Sequence, residues 1–235
     1  MKNSMPFIIM SLNGDVTGNG VPDKVYITGE KKEDSPYITN VTLHVKNGRT
    51  GKTISVKPSI NEGYNPTIFL GDFTGNKVLD CLLQMDSGGS GATTYDYIYS
   101  FEGNRSRLIF DFEKYNNEFL YKIIYMNYFG VEAISFENKN KYIIDLAYRD
   151  EEYLRQIYNE DGTLKQPIEG FVNPLSALFP IDLERDRIYE LMAFQKIAGL
   201  YNADALGYFQ NILKWDGDKF ILFEQYLGIF GSEIT

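Results

Sequence analysis

The 235-residue sequence predicts an all-β fold: a β-propeller-like array of four blades of about 55 residues each. Three observations carry this expectation. The phrase GDVTGNGVPDKVYITG, Gly14 to Gly29, returns as GDFTGNKVLDCLLQMD, Gly71 to Asp86, with its anchor aspartates Asp15 and Asp72 57 positions apart. A third acidic loop, IDLERDRIYELMAF, has its anchor at Asp182, two periods further on. Glycine-bearing turn segments around Gly48, Gly103, Gly162 and Gly217 follow the anchors at a similar distance, between short alternating apolar runs.

The units fall at about 7–63, 64–118, 119–174 and 175–235, a single propeller-like domain. In each the expected order is strand, loop, strand, loop, strand, turn, strand. The second unit is the clearest: TIFLG, the aspartate loop, LDCLLQM, the glycine-rich SGGSGAT, TYDYIYSF, EGNRS and RLIFDF. The third has lost its acids and keeps only Asn127 at the anchor. RDEEYLRQIY, 149–158, reads there as a short helix, and GFVNPLSAL, 170–178, as irregular chain; together they make an insertion near 149–178. In the fourth unit, Trp215 precedes a hairpin turn and is expected half-buried against a strand neighbour. Ring closure would bring the apolar terminal runs FIIMS and YLGIF together, because an open sheet end exposes unpaired backbone groups.

Composition narrows the function. Apolar residues at 43% and charged residues at 23% are those of a folded domain, and the 16 Phe and 18 Tyr favour strands. A net charge of −9 argues against nucleic acid and anionic membranes as partners, and suits a collector of cations. No run is long and apolar enough for membrane insertion, and PFIIMSL lacks the cleavage site of a signal peptide. With one cysteine, Cys81, and one histidine, His44, there is neither a disulfide framework nor a zinc pattern, and both residues read as strand positions.

The loops hold oxygen donors at alternate positions. Counting the anchor as position 1, the first loop offers Asp15, Thr17, Asn19, the Val21 carbonyl and Asp23. The second offers Asp72, Thr74, Asn76, the Val78 carbonyl and Asp80; the third, Asp182, Glu184, Asp186, the Ile188 carbonyl and Glu190. Hard oxygen donors on a flexible loop select Ca²⁺, up to three ions, with the greatest charge attraction at the third loop. Lys77 replaces a glycine and is expected to strain the second loop. An EF-hand is excluded, since position 12 is Tyr26, Leu83 or Ala193 rather than Glu, and the flanks read as strands. Without an ion, the same residues are ordinary turn formers.

These loops resemble the FG-GAP/VCBS repeats, the calcium loops of integrin α propellers, with the pattern D-x-[DN]-x-[DN]-G-x-x-D. DVTGNGVPD departs at Thr17, DFTGNKVLD also at Lys77, and DLERDRIYE at Glu184, Arg187 and Glu190. The whole chain looks like VCBS-repeat proteins of Gram-positive bacteria. The resemblance implies calcium and a propeller, and names no partner.

The expected function is a non-enzymatic calcium-binding module for a protein or glycan, in an extracellular or cell-surface setting where calcium is plentiful. It would be a monomer if the ring closes and a dimer otherwise. Connectors between second and third strands, at the end opposite the aspartate loops, would hold the ligand, with Asp86, Tyr95, Tyr201, Asn202 and Asp204 as candidates. The alternative is a carbohydrate-active lyase or glycoside hydrolase using Asp86 and Asp204 as paired carboxylates.

Overall fold

Alternating apolar residues between turn signals build fifteen strands, with two short α-helices and a single 3-10 turn at Glu102–Asn104, among the residues described by the computed structural model, 5–31 and 35–231. The end of the fourth expected unit, 232–235, lies outside the described residues. The first sheet is the meander β1 (Phe7–Gly14), β2 (Asp23–Lys31), β3 (Ile38–Lys46), β4 (Thr53–Val56). The second is β5 (Tyr64–Gly71), β6 (Asp80–Asp86), β7 (Thr94–Ser100), β8 (Arg107–Asp111), closed by α1 (Phe112–Glu118). Asp111 caps α1 by accepting the Glu113 N–H at 2.9 Å.

The rest forms one sheet of seven strands. Its members are β9 (Tyr121–Met126), β10 (Gly130–Ser135), β11 (Asn140–Asp145), β12 (Glu169–Ile181), β13 (Glu190–Ala198), β14 (Ala205–Trp215) and β15 (Phe220–Gly228), with α2 (Glu151–Ile157) after β11. The order is β11-β10-β9-β12-β13-β14-β15. The sheet curls into a nearly closed barrel: from beside and on β11, Asn138 Nδ2 and Tyr142 Oη donate to Gln225 of β15 at 3.2 and 3.3 Å. Its interior holds Ile123, Tyr125, Val131, Ile157, Ile197 and Phe209. A second core joins the two smaller sheets to the outer end of this one, through Val25, Leu43, Phe73, Leu82, Tyr97 and Leu191 among others.

The chain is all-β as the sequence predicts, but the four units do not resolve into four separate blades. The third unit's strands join the fourth's sheet edge to edge, through Glu169 with Ile124 and Gly170 with Ile123. β1 pairs with β2 and β15 with β14; no ladder joins β1 to β15 among the described residues. Phe7, Ile8, Tyr226, Ile229 and Phe230 are exposed rather than buried at a common seam. The segment 170–178 also departs from expectation. It is strand, with irregular register between Val172 and Ala177, where Pro174 is accommodated because it needs no ladder hydrogen bond there. Gly162 lies between α2 and β12, in the turn of a single antiparallel bridge between Tyr158 and Leu164 rather than between two full strands. The helix at 151–157 and the half-buried Trp215, edge-on to Phe220 at 5.2 Å, are as predicted.

The three aspartate loops mesh in series. The carbonyl at position 1 of the first loop, Asp15, accepts from position 8 of the second, Leu79 N, at 3.2 Å; Asp72 likewise accepts from Tyr189 N at 2.8 Å. Position 4 seats against position 7 of the next loop: a Cβ on Gly18 would lie 2.9 Å from Val78, and one on Gly75 3.1 Å from Ile188. The series stops at both ends for chemical reasons. Position 8 of the first loop is Pro22, which has no N–H to donate, and position 4 of the third is the bulky Arg185.

Candidate functional site

The repeat loops share one internal hydrogen-bond scheme. Asp15 accepts the N–H groups of Gly18, Asn19 and Gly20 at 2.8, 3.1 and 2.7 Å. Asp72 accepts those of Thr74, Gly75 and Lys77, and Asp182 those of Asp186 and Arg187. The position-5 side chains Asn19, Asn76 and Asp186 each take the amide two residues on, at Val21, Val78 and Ile188. The position-9 acids reach back across the loop: Asp23 to Val16 and Thr17, Asp80 to Phe73, Glu190 to Leu183. Each acid therefore has a turn-making role independent of any ion.

The loops differ in their fit to calcium. In the first, Thr17 Oγ1 accepts from the side-chain amides of Asn19 and Asn47, Asp23 accepts the Gly48 N–H, and Arg49 donates to the Asn19 carbonyl. In the third, Lys214 Nζ lies 2.7 Å from Glu184 and 3.8 Å from Glu190, an internal cation beside the acids expected to attract one. Among the described residues no three or more Asp, Glu, His or Cys side chains gather to hold a metal, so the four carboxylates of the third loop do not converge. In these two loops protein groups already engage predicted donors: Thr17, Asn19 and Asp23 in the first, Glu184 and Glu190 in the third. The second loop is different: Thr74 Oγ1 and Asp80 Oδ1 are buried without a hydrogen-bond partner, and they are two of its predicted ligands. Asp80 is fully buried, and this burial pushes its carboxyl up to about 7 against the pull of the Phe73 N–H and of the nearby Ser100 hydroxyl, which lies outside hydrogen-bond geometry. Asn127, anchor of the acid-free unit, accepts the Leu164 N–H at 2.9 Å beside a tight β9–β10 turn.

At the predicted ligand end the structure brings two distant connectors together. The β6–β7 connector (87–93) meets the β13–β14 connector (199–204): Asn202 Nδ2 donates to Ser90 Oγ at 3.1 Å. Asn173 of β12 lies between them, its Nδ2 donating to Asn202 Oδ1 at 2.7 Å and to the Gly91 carbonyl at 3.2 Å. Tyr201 is exposed beside this junction. Next to it, along Thr93–Tyr95 and Asn173–Pro174, runs an open groove lined by Tyr95, Phe112, the exposed Glu113, Asn116, Asn117 and Pro174, with the Tyr95 and Phe112 rings 5.2 Å apart.

Two of the candidate carboxylates are engaged by other protein groups. Asp204 is buried, where it accepts the Tyr153 hydroxyl at 2.8 Å and the Leu200 N–H at 2.9 Å. It belongs to the Tyr125–Tyr153–Asp204 chain inside the barrel, because the tight 199–204 connector folds back so that its carboxylate takes the Leu200 N–H and the Tyr153 hydroxyl. Asp86 is exposed and takes the Asn65 side-chain amide at 2.8 Å. Sequence reading missed Asn173, Asn116 and Phe112, whose roles depend on the packing of β12 and α1 against the β6–β7 connector. His44 and Cys81 are strand residues as predicted; His44 bonds Thr28 and Ser55, and burial lowers its pKa.

Among known proteins, the family model described as YybI C-terminal domain matches residues 119–228. Those limits bracket the seven-stranded sheet. A chain of Bacillus subtilis strain 168, named uncharacterized protein YybI, is 47% identical over 228 residues, which cover 97% of this chain and 87% of that one. No solved structure matches. The resemblance to FG-GAP/VCBS repeats is overturned, since no such family is found and the matching model is a different one. The physical reason lies in the loops: Asp, Asn, Thr and Gly at those positions satisfy backbone amides in a turn, so the spacing is not specific to a calcium repeat.

Proposed function

The chain belongs to the YybI family, and on that footing we propose that it is a non-enzymatic module of propeller-like build that binds a glycan. The groove beside Tyr95 is the observation that carries this reading. Aromatic faces stack on the apolar faces of sugar rings, and amides hydrogen-bond sugar hydroxyls. Half-buried Tyr95, backed by the buried Phe112, and the amides of Asn116 and Asn117 present that mixture, with Glu113 beside them. Binding is favoured over chemistry because Asp204, one of the two carboxylates considered for acid–base work, is committed to Tyr153 and Leu200. A glycan array followed by calorimetric titration tests the reading. Tyr95→Ala should weaken a hit at least about tenfold, on the scale of one lost stacking contact, while the variant still unfolds cooperatively at a melting temperature lowered by the packing Tyr95 gives the core. An array on which no glycan binds would overturn it.

A second reading, calcium at the middle loop, is favoured by the orphaned oxygens of Thr74 and Asp80. Asp72, Thr74, Asn76 and Asp80 would hold the ion, which would supply the charge those buried oxygens lack. Adding millimolar calcium to chelator-treated protein should raise its melting temperature, and Thr74→Val with Asp80→Asn should abolish the rise. An unchanged melt together with no metal by elemental analysis would rule it out.

A further inference from the structure

We infer that the ligand of this face is an acidic glycan whose carboxylate is taken by Lys196; the inference rests on the glycan-binding reading above. Lys196 lies on β13 beneath the 87–93 connector and is only 7% exposed. Its ammonium has three N–H donors. One acceptor is supplied, the Ser90 carbonyl at 3.3 Å. None of the salt bridges among the described residues includes Lys196. A charge withdrawn from water with so few partners is costly, and a carboxylate is the partner that best offsets the cost.

The surrounding polar groups cannot fill that role, because they are occupied with one another. Asn202 donates to Ser90 Oγ and accepts from Asn173, and Asn173 also donates to the Gly91 carbonyl. The spare hydrogen-bonding capacity at the junction is therefore cationic. Tyr201, 59% exposed on the adjoining connector, offers a ring face for the sugar that bears the acid. The net charge of −9, with exposed Glu113 on the groove beside Tyr95, sets a repulsion against anions. At physiological salt that repulsion is screened over about 8 Å, while a contact at a buried ammonium is screened far less. Recognition would then depend on placing one carboxylate at one point, not on a basic surface.

Trigalacturonate and its neutral counterpart galactotriose, titrated into the full chain, test this directly. The wild type should bind trigalacturonate at least tenfold more tightly. Lys196→Met, which keeps the stem and removes the charge, should level the two affinities, and Tyr95→Ala should weaken both. Equal affinities in the wild type, or a preference that survives in Lys196→Met, would overturn the carboxylate contact and leave the glycan reading standing. Binding of neither sugar, with an array blank for neutral and acidic glycans alike, would overturn both. If Lys196→Met does not fold, the wild-type preference between the two sugars decides alone.

Discussion

Two residue classes carry most of the strain and charge that single substitutions can test. Positions 4 and 6 of every aspartate loop have positive φ: Gly18 and Gly20, Gly75 and Lys77, Arg185 and Arg187. Where the residue is glycine the conformation costs little; a side chain there costs roughly 1–2 kcal/mol. Gly18→Ala should therefore destabilise by about 1–3 kcal/mol in denaturant unfolding, since its Cβ would also meet Val78. Lys77→Gly should stabilise by about 0.5–1 kcal/mol, the relieved strain exceeding the entropy glycine adds to the unfolded chain. Asp96 tests buried charge. Fully buried between Gln84 and Thr94, it has a carboxyl pushed up to about 6 from 3.8 by burial. With the folded-state value raised, the unfolded chain gives up this proton first. Stability is thus greatest below about 4, falls as pH rises to about 6, and is level above. Asp96→Asn should gain up to about 3 kcal/mol over wild type at pH 7.5 and nothing at pH 3.5. A gain of equal size at both pH values would show that burial of the charge is not the cause.

At the scale of elements, the aspartate loops act as couplings between sheets. The first joins β1 to β2, the second β5 to β6 and the third β12 to β13, and the first two each dock on the next loop through a backbone hydrogen bond and a small-to-large contact. The acid-free unit follows from this: its strands extend a sheet edge to edge, so its first turn has no loop to dock on and needs no such chemistry. Hydrogen exchange should find the Leu79 and Tyr189 amides protected as strongly as neighbouring strand amides, although both lie outside strands. Truncating Ile188 to Ala should speed exchange at Gly75 and Tyr189 more than within β1 or β2. Uniform acceleration across the chain would argue that the loops do not couple the sheets pairwise.

Across the whole molecule, two cores divide the labour. The barrel interior is built from the segment matched by the family model, but Leu175, Leu178, Leu191, Ala193 and Leu213 of that segment pack into the other core, with the first two sheets. A fragment of residues 119–231 should keep the barrel and expose this apolar strip. The expected readings are retained strand content by far-ultraviolet circular dichroism, a lower melting temperature than the full chain, and binding of an apolar fluorescent dye. A fragment as stable as the full chain, with no dye binding, would show that the larger core contributes little to this half.

The sequence by itself determined the strand class, the repeat period, the outline of the first two sheets and the aspartate turns. All of these rest on local chemistry: alternation of apolar residues, and side-chain oxygens within reach of nearby amides. It also contained, unread, the ends of the series in Pro22 and Arg185. Only the tertiary structure decided that the third unit merges with the fourth, because edge-to-edge pairing of β9 with β12 leaves no local mark in either strand. It alone placed Asp204 inside the barrel, and brought Ser90, Asn173, Lys196 and Asn202 to one junction from three stretches of chain. Such contacts are selected by which faces can be buried together, and that choice is made over the whole fold rather than within any window of sequence.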